Sequence, residues 1–170
     1  MLVQCPGLPE ASSLRLLEAQ SRHGGSGLRQ EDLIGDWRLE RVWNKGRSHP
    51  SGAAGGALRA LAARIGLHPS DDGGLLLSNS IALGLLKLCF HGPAQLQGRR
   101  PLLMFQFHTV KLSLAGRTLW TISLPKPAKR REPFFALIAS AQTSDGLQWL
   151  AARGRGGGLA LWVRQEDGSP

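Results

Sequence analysis

The regular interruption of the chain after the turn signal Asp71-Asp72-Gly73-Gly74 constrains the fold most strongly. From Leu75 onwards, short segments of strand composition are broken by turn residues about every 8 to 12 residues. This spacing is typical of an antiparallel sandwich or barrel, and it argues against alternating strands and helices. The expected strands are 75–79, 82–90, 94–97, 102–109, 110–114, 117–124, 133–140, 147–153 and 159–165.

Apolar residues on both faces of single strands favour a barrel over a sandwich. In the segment 102–109, Leu103, Phe105 and Phe107 share one face, while Leu102 and Met104 begin the other. A strand with one side in water would alternate more strictly. We therefore predict a mainly β fold, an antiparallel β-barrel with one or two short helices on its outer wall. An eight-stranded barrel is wide enough to hold one small ligand, and its interior is equally compatible with a filled core.

The first part of the chain supplies the predicted helices and one more strand. Ser12 or Ser13 is a candidate cap for a short helix that ends at the break 23–27, and a second helix is expected over 57–65, ended by Gly66. Between them, the period-two pattern of 33–43 predicts a strand. In that strand Trp37, Leu39, Arg41 and Trp43 are expected to share one face.

Composition limits the class of protein. The 170 residues suit one domain, and 42% are hydrophobic, which argues against disorder. The net charge of +9 favours polyanionic partners, either nucleic acid or anionic lipid head groups. Cys5 and Cys89 form no disulfide framework, so a reducing compartment is expected. The longest apolar window, 75–90, contains Lys87 and three polar residues, so we expect no membrane-spanning helix and no cleaved targeting segment.

The segment 125–131 carries four positive charges and two prolines that keep it extended. It is interpreted either as a solvated loop or as a strip that contacts phosphate, lipid head groups or nucleic acid. The candidate contact residues are Lys126, Lys129, Arg130 and Arg131.

Catalytic and metal-binding patterns are not apparent. The five histidines show no metal-ligand spacing, and there is no Gly-x-Ser-x-Gly elbow. Cys89 and His91 alternate on an expected strand and so face the same side, but a buried thiol beside a half-exposed histidine explains them without chemistry. We predict no enzymatic activity, no cofactor and no bound metal.

The glycine-rich segment RGRGGGLALWVR, residues 153–164, resolves into a turn followed by a strand. A phosphate-binding loop would need a Lys-Ser or Lys-Thr pair and a following helix, which this segment lacks. A nucleic-acid-binding arginine-glycine tail would repeat and be disordered. A sharp turn with positive φ, or a bulge, is expected.

Two segments resemble the plastid lipid-associated protein family, the fibrillins of plastids and cyanobacteria. The family's opening Leu-x-Gly-x-Trp-x-Leu strand is similar to 33–39, and its closing Arg-Gly-x-x-Gly-x-Leu segment is similar to 153–163. These anchors bracket about 130 residues. At 143–145 this chain has Thr-Ser-Asp where the family has Tyr-Leu-Asp, and the middle of the domain matches only in strand rhythm.

The resemblance implies a lipocalin-like barrel that binds lipid, isoprenoid or pigment without catalysis, peripheral to photosynthetic membranes or lipid globules. The location would be cytoplasmic or thylakoid-peripheral in a cyanobacterium, or a plastid in a eukaryote. The implied organisation is an amino-terminal arm with a short helix over 1–30, the barrel over 31–166 and a disordered tail over 167–170. The basic segment 125–131 would then contact anionic membrane.

Within this hypothesis, ligand contacts in the lumen are expected from Trp37, Leu39, Phe105, Phe107, Trp120 and Ile122. Structural roles are expected for Gly35, Asp145, Arg153, Gly154 and Gly157, with Arg153 positioning the last strand through a pair with Asp145. Three alternatives stay open: a tetrapyrrole carrier or bilin lyase that uses Cys89 or His91, a nucleic-acid-binding barrel, and an adaptor with a filled barrel.

Overall fold

A computed structural model describes residues 4–5, 7–51, 63–125 and 132–165. Within these ranges the chain forms one α-helix, one 3₁₀ turn at Gln30–Asp32 and eleven strands. The helix is α1, Ala11–Gly24. The strands are β1 Gln4–Cys5, β2 Gly35–Trp43, β3 Arg64–Pro69, β4 Leu75–Leu83, β5 Leu86–Gln97, β6 Leu102–Phe105, β7 Thr109–Leu114, β8 Arg117–Ser123, β9 Phe134–Thr143, β10 Gln148–Gly154 and β11 Leu159–Arg164.

All strands belong to one sheet, in the order β1-β9-β10-β11-β2-β3-β4-β5-β7-β8. Every pairing is antiparallel except that of β1 with β9. Strand β6 pairs with both β5 and β9, so the path from β9 to β5 turns back on itself in a ring-like arrangement. The prediction of a mainly β, antiparallel fold is confirmed.

The main hydrophobic core lies among the strands of this ring. Each of β2, β3, β4, β5, β6, β9, β10 and β11 contributes at least one buried side chain to it. Its largest members include Trp37, Leu67, Leu77, Leu103 and Leu137, all nearly inaccessible to solvent. The inward positions follow the period of two expected for strands with one face towards the core.

A second core joins helix α1 to the sheet. Ala11 and Leu14 of the helix pack with Trp43, Ile138 and Trp149, which belong to a hydrophobic cluster separate from the main core. The helix therefore covers part of the sheet rather than closing an end of the ring as a lid. Its extent agrees with the prediction, except that Glu10 stands at the N-cap position without a side-chain cap hydrogen bond.

Strand β2 contradicts the expectation that Trp37, Leu39, Arg41 and Trp43 share one face. Leu161 and Trp162 of β11 pair with Arg41 and Leu39, so Glu40 is an extra residue in β2. A bulge of this kind reverses the side to which the following residues point. Trp37 and Leu39 therefore lie in the main core, whereas Trp43 lies in the cluster beneath α1.

Strand β5 also differs from the prediction. The turn expected at Gly92-Pro93 is absent, because β5 continues through both residues and pairs with β4 along nearly its whole length. The actual turn is Gly84-Leu85, inside the predicted strand 82–90. On the other side of β5, β6 and β7 follow one another, separated by residues 106–108. The predicted strand 102–109 is therefore broken in two.

The close approach at this break requires a glycine. A Cβ atom on Gly92 would lie 1.7 Å from the carbonyl oxygen of Gln106. The backbone of residues 106–108 is hydrogen-bonded to β5. Gln106 N–H donates to Pro93 O at 3.1 Å, and His108 N–H donates to His91 O at 2.8 Å. Gly92 thus lies where the neighbour of β5 on this side changes from β7 to β6.

The prediction of a helix over 57–65 is wrong at the C-terminal end of that range. Arg64, Ile65 and Gly66 belong to β3, and Ile65 is buried in the main core. Positions 57–62 of this prediction, and the predicted tail 167–170, lie outside the described residues. The glycine-rich turn is confirmed: Gly157, with φ of 84°, donates to Gly154 O and the hairpin leads into β11.

Candidate functional site

Four strands continue beyond the ring as a four-stranded extension. It consists of positions 78–83 of β4, 86–91 of β5, β7 and β8. Directly paired residues of antiparallel strands point to the same face of a sheet. The register therefore shows which side chains share each face of the extension.

One face of the extension, called here the apolar face, is built from three cross-strand rows. The rows are Leu83–Leu86–Leu114–Arg117, Ile81–Leu88–Leu112–Trp120 and Asn79–Phe90–Val110–Ile122. Ten of these twelve residues are apolar. Asn79 lies at the ring end, and Arg117 lies beside the hairpin turn of β7 and β8.

The apolar face becomes more exposed away from the ring. Val110 is 7% exposed, whereas Ile122 is 51% and Leu83 is 66% exposed. Of the ten large hydrophobic side chains that are exposed among the described residues, seven lie on the extension or its turns. They are Leu83, Leu85, Leu86, Leu114, Leu119, Trp120 and Ile122. An exposed apolar patch of this kind marks an interaction surface.

The opposite face of the extension is polar and basic. Its rows are Ala82–Lys87–Ser113–Thr118, Ser80–Cys89–Lys111–Thr121 and Ser78–His91–Thr109–Ser123. Partial burial raises the pKa of the Cys89 thiol, and it lowers the pKa of His91, which Lys111 and Lys87 lower further. Both shifts favour the uncharged forms, the Cys89 thiol and the neutral His91 imidazole. The extension is an amphipathic sheet.

A chain of aromatic rings links the apolar face to the main core. Phe90 lies 5.4 Å from Phe107, which lies 5.3 Å from Phe105, measured between ring centroids. Phe105 contacts Phe135 at 5.1 Å, and Phe135 contacts Trp162 at 5.3 Å. The rings are tilted or edge-on, as favourable aromatic pairs are. The apolar face is thus continuous with the interior of the ring.

The structure separates the residues predicted to line a lumen. Trp37, Leu39 and Phe105 are buried in the main core, and Phe107 packs against that core while partly exposed. Trp120 and Ile122 lie instead on β8, where all seven residues are exposed. The expectation of one shared lumen was wrong for these two residues, because β8 belongs to the extension and not to the ring.

The described residues form two surface clefts. One, of about 510 Å³, is formed by the loop 44–51 that follows β2. The other, of about 480 Å³, lies between Gln30, the turn 70–75 and residues 93–96 of β5. Neither is lined by any of the six predicted lumen residues.

Arg153 has a different partner from the one predicted. Its guanidinium donates to both carboxylate oxygens of Glu18, from Nε to Oε1 at 2.7 Å and from Nη2 to Oε2 at 2.5 Å, and also to Gly157 O. Arg22 and Arg100 also donate to Glu18 Oε1, at 2.9 and 3.1 Å. The pKa of Glu18 falls from 4.5 to about 2, chiefly through the hydrogen bonds from Arg153 and less through Arg22, while burial acts in the opposite direction. Arg153 thus joins helix α1 to the last hairpin, and the proposed pair with Asp145 is not formed.

The predicted structural glycines occupy specific positions. Gly35 has φ of 133°, and a Cβ there would lie 3.1 Å from the Arg164 guanidinium, which sits 5.7 Å from the Trp37 ring centroid. Gly154 and Gly157 form the β10–β11 turn, while Asp145 precedes the β9–β10 turn glycine, Gly146.

The proposed basic contacts Lys126, Lys129, Arg130 and Arg131 lie outside the described residues. In the part of the chain that the structure describes, no three His, Cys, Asp or Glu side chains are grouped so that they could hold a metal ion. No described helix is long and apolar enough to cross a bilayer.

Neither the comparison with protein-family models nor the comparison with curated proteins finds a match for this sequence. The similarity to the fibrillins therefore depends on the two sequence segments alone. Function has to be inferred from the surface of the molecule.

Proposed function

We propose that this chain is a non-enzymatic lipid-binding protein that associates with the surface of anionic membranes through the apolar face of its extension. In the same proposal, the ring of strands is a lipocalin-like barrel of the fibrillin type, and the membrane is a thylakoid or a lipid globule surface. The observation that carries the proposal is the concentration of exposed apolar side chains on one face of the extension.

The energetics support reversible attachment. Full burial of a leucine, isoleucine or similar side chain stabilises by about 1.5–3 kcal/mol, so a half-exposed one still contributes about 1 kcal/mol on entering lipid. Leu83, Leu86, Leu114, Trp120 and Ile122 are between 40% and 66% exposed. Together they contribute roughly 5 kcal/mol, which is modest by the standard of lipid anchors.

Charge adds to this attraction. Arg117 lies at the border of the apolar face, so its stem can lie along apolar surface while its guanidinium reaches head groups. Each basic residue near an anionic surface contributes about 1 kcal/mol. We retain the proposal that Lys126, Lys129, Arg130 and Arg131, which follow β8 in sequence, also contact anionic head groups.

The aromatic chain suggests what else is bound. Phe107 is partly exposed where the apolar face meets the main core. We propose that an acyl chain, or another elongated apolar molecule such as an isoprenoid, lies along Phe90 and Phe107. Binding at this junction needs no large lumen, in keeping with the tight packing of Trp37, Leu39 and Phe105.

Vesicle flotation tests the proposal. The full chain is mixed with vesicles of phosphatidylcholine alone or with added phosphatidylglycerol, at low and high salt. We expect it to float with the mixed vesicles, and we expect the double variant Leu83→Ser/Ile122→Ser to lose most of this binding at both salt concentrations.

Leu16→Ser is the matched control, because Leu16 is 69% exposed on helix α1 and Leu83 is 66% exposed on the apolar face. It should bind as the unchanged protein does. Equal flotation of the double variant and the control would refute the role of the apolar face. Binding to nucleic acid in a gel shift without any flotation would favour the nucleic-acid alternative instead.

A further inference from the structure

Strand β8 is an edge strand of unusual composition. It pairs with β7 on one side, and no described strand pairs with its other side. Natural edge strands are protected by charged residues, proline, bulges or a covering segment. From Thr118 to Ser123, β8 contains no charge, no proline and no glycine.

One protective feature is present, and it limits the available edge. Leu112 pairs with Trp120 and Ser113 with Thr118, so Leu119 is an extra residue that bulges from β8. The regular part of the strand is therefore Trp120–Thr121–Ile122–Ser123. Trp120 and Ile122 belong to the apolar face, and Thr121 to the polar face.

We propose that β8 pairs antiparallel with β8 of a second copy of this chain, about a two-fold axis at Thr121. Thr121 then lies opposite Thr121 of the second copy, and each Trp120 lies opposite an Ile122. Threonine pairs and pairs of aromatic with β-branched residues are among the favourable cross-strand neighbours. The result is one continuous sheet made from both extensions.

The two-fold relation determines the orientation of the apolar faces. Because residues directly opposite each other point to the same side of a sheet, pairing Trp120 with Ile122 places both apolar faces on one side. A register shifted by one residue would place Ile122 opposite Thr121 and turn the two faces to opposite sides. The proposed register keeps the apolar residues of both copies together.

The described charges do not oppose pairing with a second copy, despite the net charge of +9. Because Leu119 bulges, Arg117 lies level with Leu114, three positions from Lys111, so the two arginines lie about 20 Å apart at ~3.3 Å per residue. Lys111 pairs with Thr121, and the two Lys111 residues lie about 14 Å apart across three strand spacings. Both separations exceed the Debye length of about 8 Å at physiological salt. Among the described residues, no like charges therefore meet at the proposed junction.

Sedimentation equilibrium of the full chain tests this inference. The unchanged protein is expected to show a monomer–dimer equilibrium. Thr121→Lys and Thr121→Glu each place like charges directly opposite one another, so each should weaken dimerisation by about tenfold or more. Because Lys lies opposite Glu in the mixed pair, an equimolar mixture of the two variants should dimerise at least as well as the unchanged protein.

Ser113→Lys is the control, since Ser113 lies on the same polar face but one strand inward from the edge. It should dimerise as the unchanged protein does. The inference is overturned if the unchanged protein is still monomeric at about 100 μM, which is a hundred times a Kd of 1 μM. It is also overturned if the mixture associates no better than either variant alone. Loss of the dimer in Ser113→Lys would also overturn the inference, because it would show that added charge elsewhere on the polar face weakens association just as well. None of these substitutions alters the apolar face, so vesicle flotation remains an independent measurement.

Discussion

Replacing Glu18 by glutamine should remove a large, pH-dependent part of the stability of this fold. The Glu18 side chain is 5% exposed, and its carboxylate accepts hydrogen bonds from Arg22, Arg100 and Arg153. The pKa of Glu18 falls from 4.5 to about 2 in the folded chain. Each pKa unit corresponds to about 1.36 kcal/mol, so ionised Glu18 contributes ~3 kcal/mol to the free energy of unfolding.

The sign of the pH dependence follows from the direction of the shift. Because folding lowers the pKa, the contribution of Glu18 is complete above pH 4.5 and is lost as the pH falls towards about 2. Glutamine cannot ionise. The gap in stability between the unchanged protein and Glu18→Gln should be ~3 kcal/mol at pH 7 and only about 2 kcal/mol at pH 3.5.

Urea unfolding at several pH values, followed by tryptophan fluorescence, measures this gap. Glu10→Gln is the control, because Glu10 pairs with Arg41 through a side chain that is 62% exposed. An exposed pair contributes between about 0 and 1 kcal/mol, so this variant should differ little from the unchanged protein. A gap for Glu18→Gln that does not change with pH, or no gap at pH 7, would refute the account of a buried carboxylate held by three arginines.

Two further predictions concern glycines and are measured by thermal and urea unfolding. Gly92→Ala places a Cβ 1.7 Å from Gln106 O and should destabilise by about 3 kcal/mol or more, whereas Gly7→Ala, with no atom within 4 Å of the added Cβ, should have little effect. Gly157→Ala should cost about 1 kcal/mol, because Gly157 has φ of 84° and an added Cβ would lie 3.1 Å from Lys45. Gly156→Ala should be nearly neutral in the same turn, and equal effects of the two substitutions would contradict the assignment of strain to Gly157.

The strand rhythm was predictable because it is local. Alternating side chains and turn glycines identified β7, β8, β10 and β11 almost to the residue. The errors arose where tertiary contacts overrule local pattern. A bulge at Glu40 redirects Trp43 to the helix, and Ile65, which fits helical spacing with Leu61, is drawn into β3 by pairing with Trp37 and Asn79. Such pairings have no signal within a window of ten residues.

The residue types of the candidate site could be predicted from the sequence, but their position outside the ring of strands could not. Trp120 and Ile122 were predicted to line a lumen, because a period of two is the same whether the apolar side faces a core or solvent. Only the register, which places β8 outside the ring, shows that these residues are exposed. The Glu18–Arg153 pair spans 135 positions, and charge alone did not distinguish it from a pair with Asp145.

The two proposals share strand β8 but use different parts of it. The proposed pairing between copies would use the backbone edge and Thr121, whereas the proposed contact with lipid would use the side chains of Trp120 and Ile122. A two-fold axis perpendicular to the sheet leaves both apolar faces on one side, so dimerisation would double the area presented to a membrane without covering any of it. If both proposals hold, a protein that covered the apolar face of one copy would have to accommodate the second copy beside it, whereas a lipid surface would contact both faces at once.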